Sequence, residues 1–375
     1  MKAWRHAVNN RNACIILNML SGIGFVKYKA LVNAFGEPAR IFSATKPELT
    51  AVKGISDTLA DKILSYQEHV DLDNELLLAE RGGVQIITLA DKEYPEVLKN
   101  IYDPPLCLYI RGKLPEFNNN SVAIVGSRKM SMYGERMTKS FAQEAVKYGY
   151  IVVSGLAFGV DYAAHKAVVD ADGITVAVLG GGLMQIHPRE HIPLAREIIQ
   201  KGGAVISEFP MDFPVSRTSF PRRNRIVSAL SDAVVVIEAG LDSGALITAN
   251  IALEQGKEIF AVPGNADNPQ AKGCHKLIKE NSAHLAENFS DILDVIDCGL
   301  FSTAEFAEPA AEYKTESCFS PEEQLIIDAL ANGDCSADDL SLATNLESGI
   351  LLSTLMKLEM KLVIIKNPDR TYRLR

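Results

Sequence analysis

Long apolar segments are missing from this chain of 375 residues. No apolar run approaches the roughly 18 residues that a membrane span requires. Residues 1–12 are polar and lack the apolar centre that a secretory signal needs. We therefore expect no membrane partner and a cytoplasmic location.

Paired cysteines are missing as well. The six cysteines form no C-x-x-C pair and do not stand at the spacing of zinc ligands. In a long chain without a secretory signal, scattered cysteines are expected to be reduced thiols. The pattern predicts neither a disulfide framework nor a metal site. These cysteines are Cys14, Cys107, Cys274, Cys298, Cys318 and Cys335.

Positive charge is in short supply. The chain has 38 Lys and Arg against 47 Asp and Glu, a formal net charge of -9, and an isoelectric point near 5.4. Because phosphate binding needs positive charge, this balance argues against a surface covered with nucleic acid. The total does not exclude a local basic groove. The content of 47% hydrophobic and 23% charged residues is that of a soluble globular protein, and the length predicts two or three domains.

Nucleotide fingerprints and complete catalytic sets are also absent. Neither G-x-G-x-x-G nor G-x-x-x-x-G-K-[ST] occurs, so we expect no cofactor and no triphosphate. Ser154, Asp161 and His165 do not follow a nucleophile motif, and a helix-capping Asp with a packed His explains them better. His187 and His191 lack further ligands and are predicted to be loop and surface residues.

The first region, residues 1–83, is predicted to be helical. Residues 20–24 and 27–32 are echoed at 52–56 and 59–64, each time as helix, glycine turn and helix. This repeat is similar to a tandem helix-hairpin-helix or SAM-like module, in which turn glycines bring backbone N–H groups close to phosphate. A small helical packing domain is the alternative. Positive charge near the turns comes from Lys27, Lys29, Lys53 and Lys62.

The second region, residues 84–297, alternates short apolar runs with helical stretches. That alternation predicts an α/β fold with a doubly wound, mostly parallel, Rossmann-like sheet. Continuous apolar runs suit strands that are buried on both faces. The predicted strands are 122–125, 151–153, 175–179, 204–206, 233–237 and 258–262.

A linker is predicted over residues 298–320, followed by a compact tail at 321–375. Helices at 322–331, 337–344 and 348–360 and a hairpin around 367–369 suggest a winged helix. The segment 318–375 has six Lys and Arg against nine Asp and Glu, which is a poor composition for DNA binding. Partner binding or regulation of a dimer is the favoured role for this tail.

Glycine-rich loops follow five of the predicted strands. Ligands of open parallel sheets bind beyond the carboxyl ends of the strands. Glycines there let backbone N–H groups face an anion, and helix N-termini add a favourable dipole. Five such loops at one edge predict a groove that binds phosphate. The loops begin at Gly126, Ser154, Gly180, Glu238 and Pro263.

Residues 217–225 hold four arginines and no acid. Arginine pairs with phosphate and stacks on bases, and Phe220 offers a stacking face. The alternative is that one or two of these arginines pair with an acid such as Glu208 or Glu238. With the positive charge concentrated here, nucleic acid would be confined to one groove, and the remaining acidic surface would repel it.

These motifs together resemble the DprA/Smf family. The matching stretches are A-I-V-G-S-R at 123–128, S-G-L-A at 154–157, F-P-R-R-N-R-I at 220–226, S-G-A-L-I-T-A at 243–249 and F-A-V-P-G-N at 260–265. The resemblance is strong over about 91–297. It implies an extended Rossmann domain that binds single-stranded DNA, a homodimer, and a role in natural transformation that protects incoming DNA and loads the RecA recombinase onto it. It implies no established catalytic activity.

The resemblance also implies a set of DNA-binding residues. The G-S-R triplet would grip phosphate, Phe220 would stack on a base, and Asn224 with Arg225 would complete the groove. Phe158 stands where the family often has a basic residue, so one phosphate contact is missing or is replaced by stacking. The expected set is Gly126, Ser127, Arg128, Gly155, Phe158, Arg217, Phe220, Arg222, Asn224, Arg225, Ser243 and Gly244.

Our leading hypothesis is a recombination mediator without catalytic activity. The rival is a nucleotide-cleaving, phosphoribohydrolase-like enzyme on a related scaffold. Those enzymes have a P-G-G-x-G-T-x-x-E loop, and residues 238–248 do not follow that order. A third hypothesis is a transcription regulator that binds DNA through the tail. The net negative charge of the tail argues against this hypothesis.

Overall fold

The computed structural model describes residues 8–118, 120–299, 320–330, 335–344, 346, 348–360, 363–366 and 371–374. The chain divides into two compact units, residues 1–302 and 303–375. The predicted linker at 298–320 lies almost entirely outside the described residues. Among the helices that are described, none combines the length and the apolar character needed to cross a membrane.

Helices make up the front of the first unit, as predicted. Asn9, Ser56 and Asp71 cap three of them by accepting a backbone N–H, which satisfies donors that a helix start leaves unpaired. Short 3-10 helices lie at Pro38–Ser43 and Tyr66–Glu68. The helices are α1 (Asn10–Met19), α2 (Phe25–Phe35), α3 (Lys46–Thr50), α4 (Asp57–Leu64) and α5 (Leu72–Arg81).

The two repeated turns lie side by side. Gly22 and Gly54 have φ of +97° and +89°, a conformation that favours glycine. The side chain of Leu59 lies next to Gly22, and that of Lys27 lies next to Gly54. Residues 27 and 59 occupy equivalent places in the repeat, so the two halves contact each other reciprocally.

A nine-stranded sheet forms the centre of this unit. Its order is β1-β2-β6-β5-β4-β3-β7-β8-β9. Strand β2 pairs antiparallel with both β1 and β6, and all the other neighbouring strands in this order are parallel. The strands are β1 (Val84–Thr88), β2 (Cys107–Gly112), β3 (Ser121–Val125), β4 (Ile151–Ser154), β5 (Thr175–Val178), β6 (Ala204–Ser207), β7 (Ala233–Val236), β8 (Glu258–Ala261) and β9 (His284–Leu285).

The predicted α/β class with a mostly parallel sheet is confirmed. All six predicted strands are present within one residue at each end, whereas β1, β2 and β9 were not predicted. Helices between the strands cover the sheet. They are α6 (Glu96–Lys99), α7 (Met132–Lys147), α8 (Val160–Asp170), α9 (Ile192–Gln200), α10 (Ser219–Ala229), α11 (Gly244–Glu254), α12 (Lys272–Lys279) and α13 (Ser290–Gly299).

Alternate residues of the central strand enter different hydrophobic cores. Val122 and Ile124 pack in the core that includes Phe141 of α7, while Ala123 and Val125 pack in the core that includes Ile226 of α10. Both faces of β3 are therefore buried, which explains the uninterrupted apolar runs.

The helical front shares its core with the sheet. Leu17, Leu31 and Ile63 of the front belong to one buried cluster with Tyr109 of β2 and Val205 of β6. This shared core joins residues on both sides of position 83 into a single compact unit.

The second unit has its own core, which includes Ile326, Leu340 and Leu355. Its three helices and both hairpin strands lie close to their predicted positions, and a further short strand, β10, was not predicted. The predicted turn at 367–369 lies outside the described residues. The elements are α14 (Pro321–Leu330), β10 (Cys335–Ser336), α15 (Ala337–Thr344), α16 (Ser348–Met360), β11 (Ile364–Lys366) and β12 (Thr371–Leu374), with the strands in the order β10-β12-β11.

Candidate functional site

The direction of strand order reverses at β3. Strands β4 to β6 follow it on one side, and β7 to β9 lie on the other. In such a sheet the ligand crevice opens at this switch point, beyond the carboxyl ends of β3 and its neighbouring strands. A cavity of about 860 Å³, here named the main cleft, lies there. It is lined by residues 126–129, 155, 157 and 161, residues 240–245 with 247 and 248, residues 269, 270 and 272, and part of α10.

Most of the predicted site residues meet around this opening. Phe158 instead lines a smaller adjoining cavity, the side pocket. This pocket shares Arg128, Gly155, Ala157 and Phe220 with the main cleft. Arg222 and Arg225 line neither cavity. The expected residues that line the main cleft are Gly126, Ser127, Arg128, Gly155, Arg217, Phe220, Asn224, Ser243 and Gly244.

The main cleft is cationic although the chain is acidic. Five cationic side chains line it against two carboxylates, Asp161 and Asp242. Three of the cations are absent from the expected set: Lys129 directly follows the G-S-R triplet, Arg223 stands within the arginine-rich stretch, and Lys272 begins α12. The signal available for Lys129 was its place next to that motif. The five cations are Arg128, Lys129, Arg217, Arg223 and Lys272.

Arg128 stands at the boundary between the two cavities. Its side chain is exposed, and its guanidinium lies 4.8 Å from the ring centre of Phe220, in reach of a cation–π contact. The loop below is fixed, because the Ser127 N–H donates to the Glu238 carbonyl at 2.7 Å and the Lys129 N–H donates to Ser127 Oγ at 3.1 Å. This arrangement presents a cation and an aromatic face together.

The N-terminus of α11 closes the opposite wall. Ser243 caps this helix by accepting the Ala245 N–H at 3.3 Å, and Gly244 is exposed beside it. A helix start carries partial positive charge, so this wall also favours an anion. Glu238, which follows β7, does not line the cleft, because its carboxylate accepts from the Ser131 N–H and Oγ at 2.8 and 2.5 Å.

The second glycine loop differs from the prediction. Its backbone faces an anion, but that anion is internal: the Ala157 N–H donates to Asp161 Oδ2 at 3.3 Å. Asp161 is buried, and burial raises the pKa of its carboxyl while the charge of Arg223 opposes the rise.

Two other glycine loops do not reach the main cleft. The loop at 263–265 lines neither cavity, and the loop at 180–181 lines only the side pocket. Fewer loops therefore face the main cleft than the five that the sequence predicted.

Arg225 and Arg222 are engaged by one acid. Arg225 Nη2 donates to Glu208 Oε2 at 2.5 Å, and its Nε lies 3.3 Å from Asp103. Arg222 Nη2 lies 3.2 Å from the same Glu208 oxygen, with its guanidinium over the ring of Phe209. Pairing of two arginines with Glu208 was the alternative stated above, and the structure places Arg225 outside the lining of both cavities, unlike the expected position in the groove. Burial raises the pKa of Glu208, and both arginines oppose that rise.

Helical geometry explains this division of the arginines. Residues 219–229 form α10, and no secondary structure was predicted for this basic stretch. Positions three apart share a helix face, so Arg222 and Arg225 point to one side together, and Arg223 points elsewhere. Recognising the helix would have separated them.

The side pocket combines aromatic and glycine residues. Phe158 is 46% exposed at its mouth, and Phe220 and Pro188 also line it. His187 is exposed as predicted, but His191 is buried, which corrects the expectation of a surface residue. His191 Nδ1 lies 2.9 Å from the Leu156 carbonyl, and its ring packs against Phe158 with centroids 5.0 Å apart.

The residues once considered as a catalytic triad do not assemble into one. Ser154 Oγ donates to the Ile124 carbonyl at 2.7 Å, and His165 Nδ1 lies 2.7 Å from Thr175 Oγ1. Both side chains are buried. Each has a structural partner of its own.

Fold and site thus define an open α/β protein with a cationic cleft at its topological switch point. The family model described as DNA recombination-mediator protein A matches residues 85–297. Protein Smf of Escherichia coli is 40% identical over 271 residues, 72% of this chain and 70% of that protein. The chain belongs to the DNA recombination-mediator protein A family, also called DprA/Smf.

Other comparisons agree. The DNA processing protein DprA of Bacillus subtilis is 40% identical over 217 residues, 58% of this chain and 73% of that protein. The solved DprA of Streptococcus pneumoniae has a TM-score of 0.65 at 28% identity, covering 77% of this chain and 98% of that one. The DNA processing protein A of Helicobacter pylori, solved for its single-stranded DNA binding mode, has a TM-score of 0.50 at 30% identity, covering 57% and 97%.

Proposed function

We propose that the main cleft binds single-stranded DNA. The observation that carries the proposal is the meeting of four exposed cationic side chains with Phe220 in one open cleft of an otherwise acidic chain. A cationic groove with aromatic faces suits a flexible strand, since its phosphates follow the charge while unstacked bases meet the rings. The relative from Helicobacter pylori is described as binding the same ligand.

Each wall of the cleft has a distinct task in this proposal. Arg128, Lys129, Arg217 and Lys272 hold phosphates, together with the exposed helix start at Gly244. Phe220 and Phe158 contact a base at the side pocket, where Phe158 replaces a phosphate contact by a stacking contact. Arg222 and Arg225 are left out of the binding set, because Glu208 engages both.

The cellular role follows from the family. We infer that the protein acts in the cytoplasm as a recombination mediator that protects single strands entering during natural transformation and loads RecA onto them. In this role it works as a homodimer, and the tail, folded as a winged helix, serves a partner or the dimer and not DNA. Both the family membership and the net negative charge of the tail support this assignment.

The binding proposal is tested by fluorescence anisotropy with a labelled single strand and the matching duplex. We expect the single strand to be preferred and its affinity to fall with added salt, with a slope near -3 for four phosphate contacts at about 0.7 each. A slope near zero, or a preference for duplex, would contradict the proposed cleft.

The mediator role needs a separate experiment. RecA filament formation on a strand already covered by single-strand-binding protein should be faster with this protein present, and light scattering should give the mass of a dimer. Release of free base from nucleoside monophosphates, followed by chromatography, would favour the rival hydrolase instead.

A further inference from the structure

Arg223 lies at the inner wall of the main cleft, and its Nε and Nη1 donors are already in use. Its side chain is 5% exposed. Nη1 donates to the carbonyls of Gly155 and Val178, both at 2.5 Å, and Nε donates to Asn224 Oδ1 at 3.1 Å. Gly155 follows β4 and Val178 ends β5, so one guanidinium ties together the carboxyl ends of two neighbouring strands.

Gly155 packs directly against this guanidinium. A Cβ atom at Gly155 would collide with it, so glycine is required there for packing and not for an unusual backbone angle. Burial lowers the pKa of Arg223, and the buried carboxylate of Asp161 counteracts this shift. Asp161 therefore stabilises the charged form of Arg223 inside the protein.

The loops that Arg223 holds form the side pocket. Gly155, Ala157 and Phe158 line it from one strand end, and Leu179, Gly180 and Gly181 line it from the other. In the first of these loops, Leu156 lies between Gly155 and Ala157 and has a φ of +54°, which a leucine adopts only when its surroundings impose it. His191 holds the Leu156 carbonyl on the next peptide. Two side chains thus fix two successive carbonyls below the pocket.

We propose that Arg223 is a positioning residue for the side pocket: it holds the loops after β4 and β5 in the geometry that presents Phe158 and Phe220 to a base at the mouth of the pocket, and it makes no phosphate contact itself. This rests on the proposed function of the cleft. Of the four arginines of residues 217–225, the proposal leaves Arg217 alone as a phosphate contact.

The test compares Arg223→Lys, which keeps the charge but cannot reach both carbonyls in the same way, with Ile292→Ala. Ile292 is buried in a core that contains none of the residues of these two loops, and it lines neither cavity, so its variant reports the effect of lost stability alone. Hydrogen exchange of the amides at 155–158 and 179–182, measured without DNA, should accelerate about tenfold or more in Arg223→Lys relative to Ile292→Ala, as expected when a charged hydrogen bond is lost.

Binding supplies the second readout. Affinity for a single strand should fall about tenfold in Arg223→Lys. In the double variant Arg223→Met with Asp161→Asn, which removes the cation, the salt slope should stay unchanged, whereas loss of a phosphate ligand would reduce it by about 0.7. A reduced slope, unaltered exchange, or faster exchange with full affinity would each overturn the proposal. Faster exchange in a protein whose wild type binds no single strand would overturn the function of the cleft but leave the tie between the loops in place.

If Arg223→Lys does not fold, the double variant Arg223→Met with Asp161→Asn removes both buried charges and is read in the same two ways.

Discussion

The floor of the main cleft and the layer below it are both rich in arginine, but the two layers use it differently. On the floor, Arg128 and Arg217 are exposed to solvent. Below it, Arg223 and Arg225 are buried and bonded to carbonyls or carboxylates. The number of arginines in a motif therefore does not give the number of phosphate contacts. An arginine that is already hydrogen-bonded inside the protein has fewer donors available for a phosphate.

The largest expected effect is on the buried layer. Arg225→Ala leaves the buried carboxylate of Glu208 with only the exposed Arg222, and loss of a partner from a buried ion pair costs about 3–5 kcal/mol. The free energy of unfolding in urea measures this loss. The salt slope of strand binding by the folded variant should stay that of the wild type, and a loss below 1 kcal/mol would show that Glu208 does not depend on Arg225.

His165 provides the next largest effect, through pH. Burial lowers its pKa to about 3, from 6.5 in the unfolded chain, and the charge of Arg223 adds to the shift. Between these values the unfolded state binds a proton that the folded state does not, so stability decreases as the pH falls below about 6.5. From pH 7.5 to 5 this one residue should remove about 2 kcal/mol from the free energy of unfolding.

His165→Gln is the matching variant. Its urea stability should lose about 2 kcal/mol less than the wild type between these two pH values. Asp161 and Glu208, whose pKa values are raised by burial, remain in both proteins and cancel from the comparison. Equal pH dependence of the two proteins would mean that His165 is accessible to protons.

On the cleft floor the effect should appear in binding and not in stability. At 0.1 M salt each phosphate contact contributes about fivefold to affinity, so Arg128→Ala with Arg217→Ala should bind a single strand about 25-fold more weakly, with a slope lower by about 1.4. The free energy of unfolding should stay within about 0.5 kcal/mol of the wild type. Arg111→Ala with Arg196→Ala is the control, since both are exposed and line neither cavity.

The smallest effect belongs to Arg222, which stands between the two layers. Its side chain is 54% exposed although it pairs with Glu208. Exposed pairs contribute up to about 1 kcal/mol, so Arg222→Ala should lower the urea stability by no more than that. Strand affinity should not change. A fivefold loss of affinity would place Arg222 on the DNA path and remove the distinction drawn here.

Much of the fold could be predicted from the sequence because buried parallel strands leave a clear pattern. Six strands of uninterrupted apolar residues, each followed by glycine, locate one edge of a sheet. Strands β1 and β2 lack that context, since they pair antiparallel at the far side and share a core with the front helices. Strand β9 has only two residues, both exposed. Such strands form because of neighbours that local sequence does not reveal.

The site was predicted less completely, for a physical reason. Which arginine meets solvent depends on the acid that the fold brings near it, and Glu208 reaches α10 from the loop after β6. Glycines gave a similar ambiguity. Gly155 makes room for a guanidinium, whereas Gly244 begins a helix beside the cleft. The same residue type marks a packing constraint in one loop and an open anion wall in another.

The acidic exterior around a cationic cleft has a consequence for the speed of encounter. At physiological salt, charges are screened beyond about 8 Å. In the proposed function, a strand approaching from elsewhere meets the net negative charge of the chain, and attraction begins only when the strand is over the opening. We therefore expect collisions elsewhere on the surface to be unproductive, and we expect the protein not to slide along nucleic acid that cannot enter the cleft. Under the proposed function, selectivity for accessible single strands thus begins during approach, before any base has been contacted.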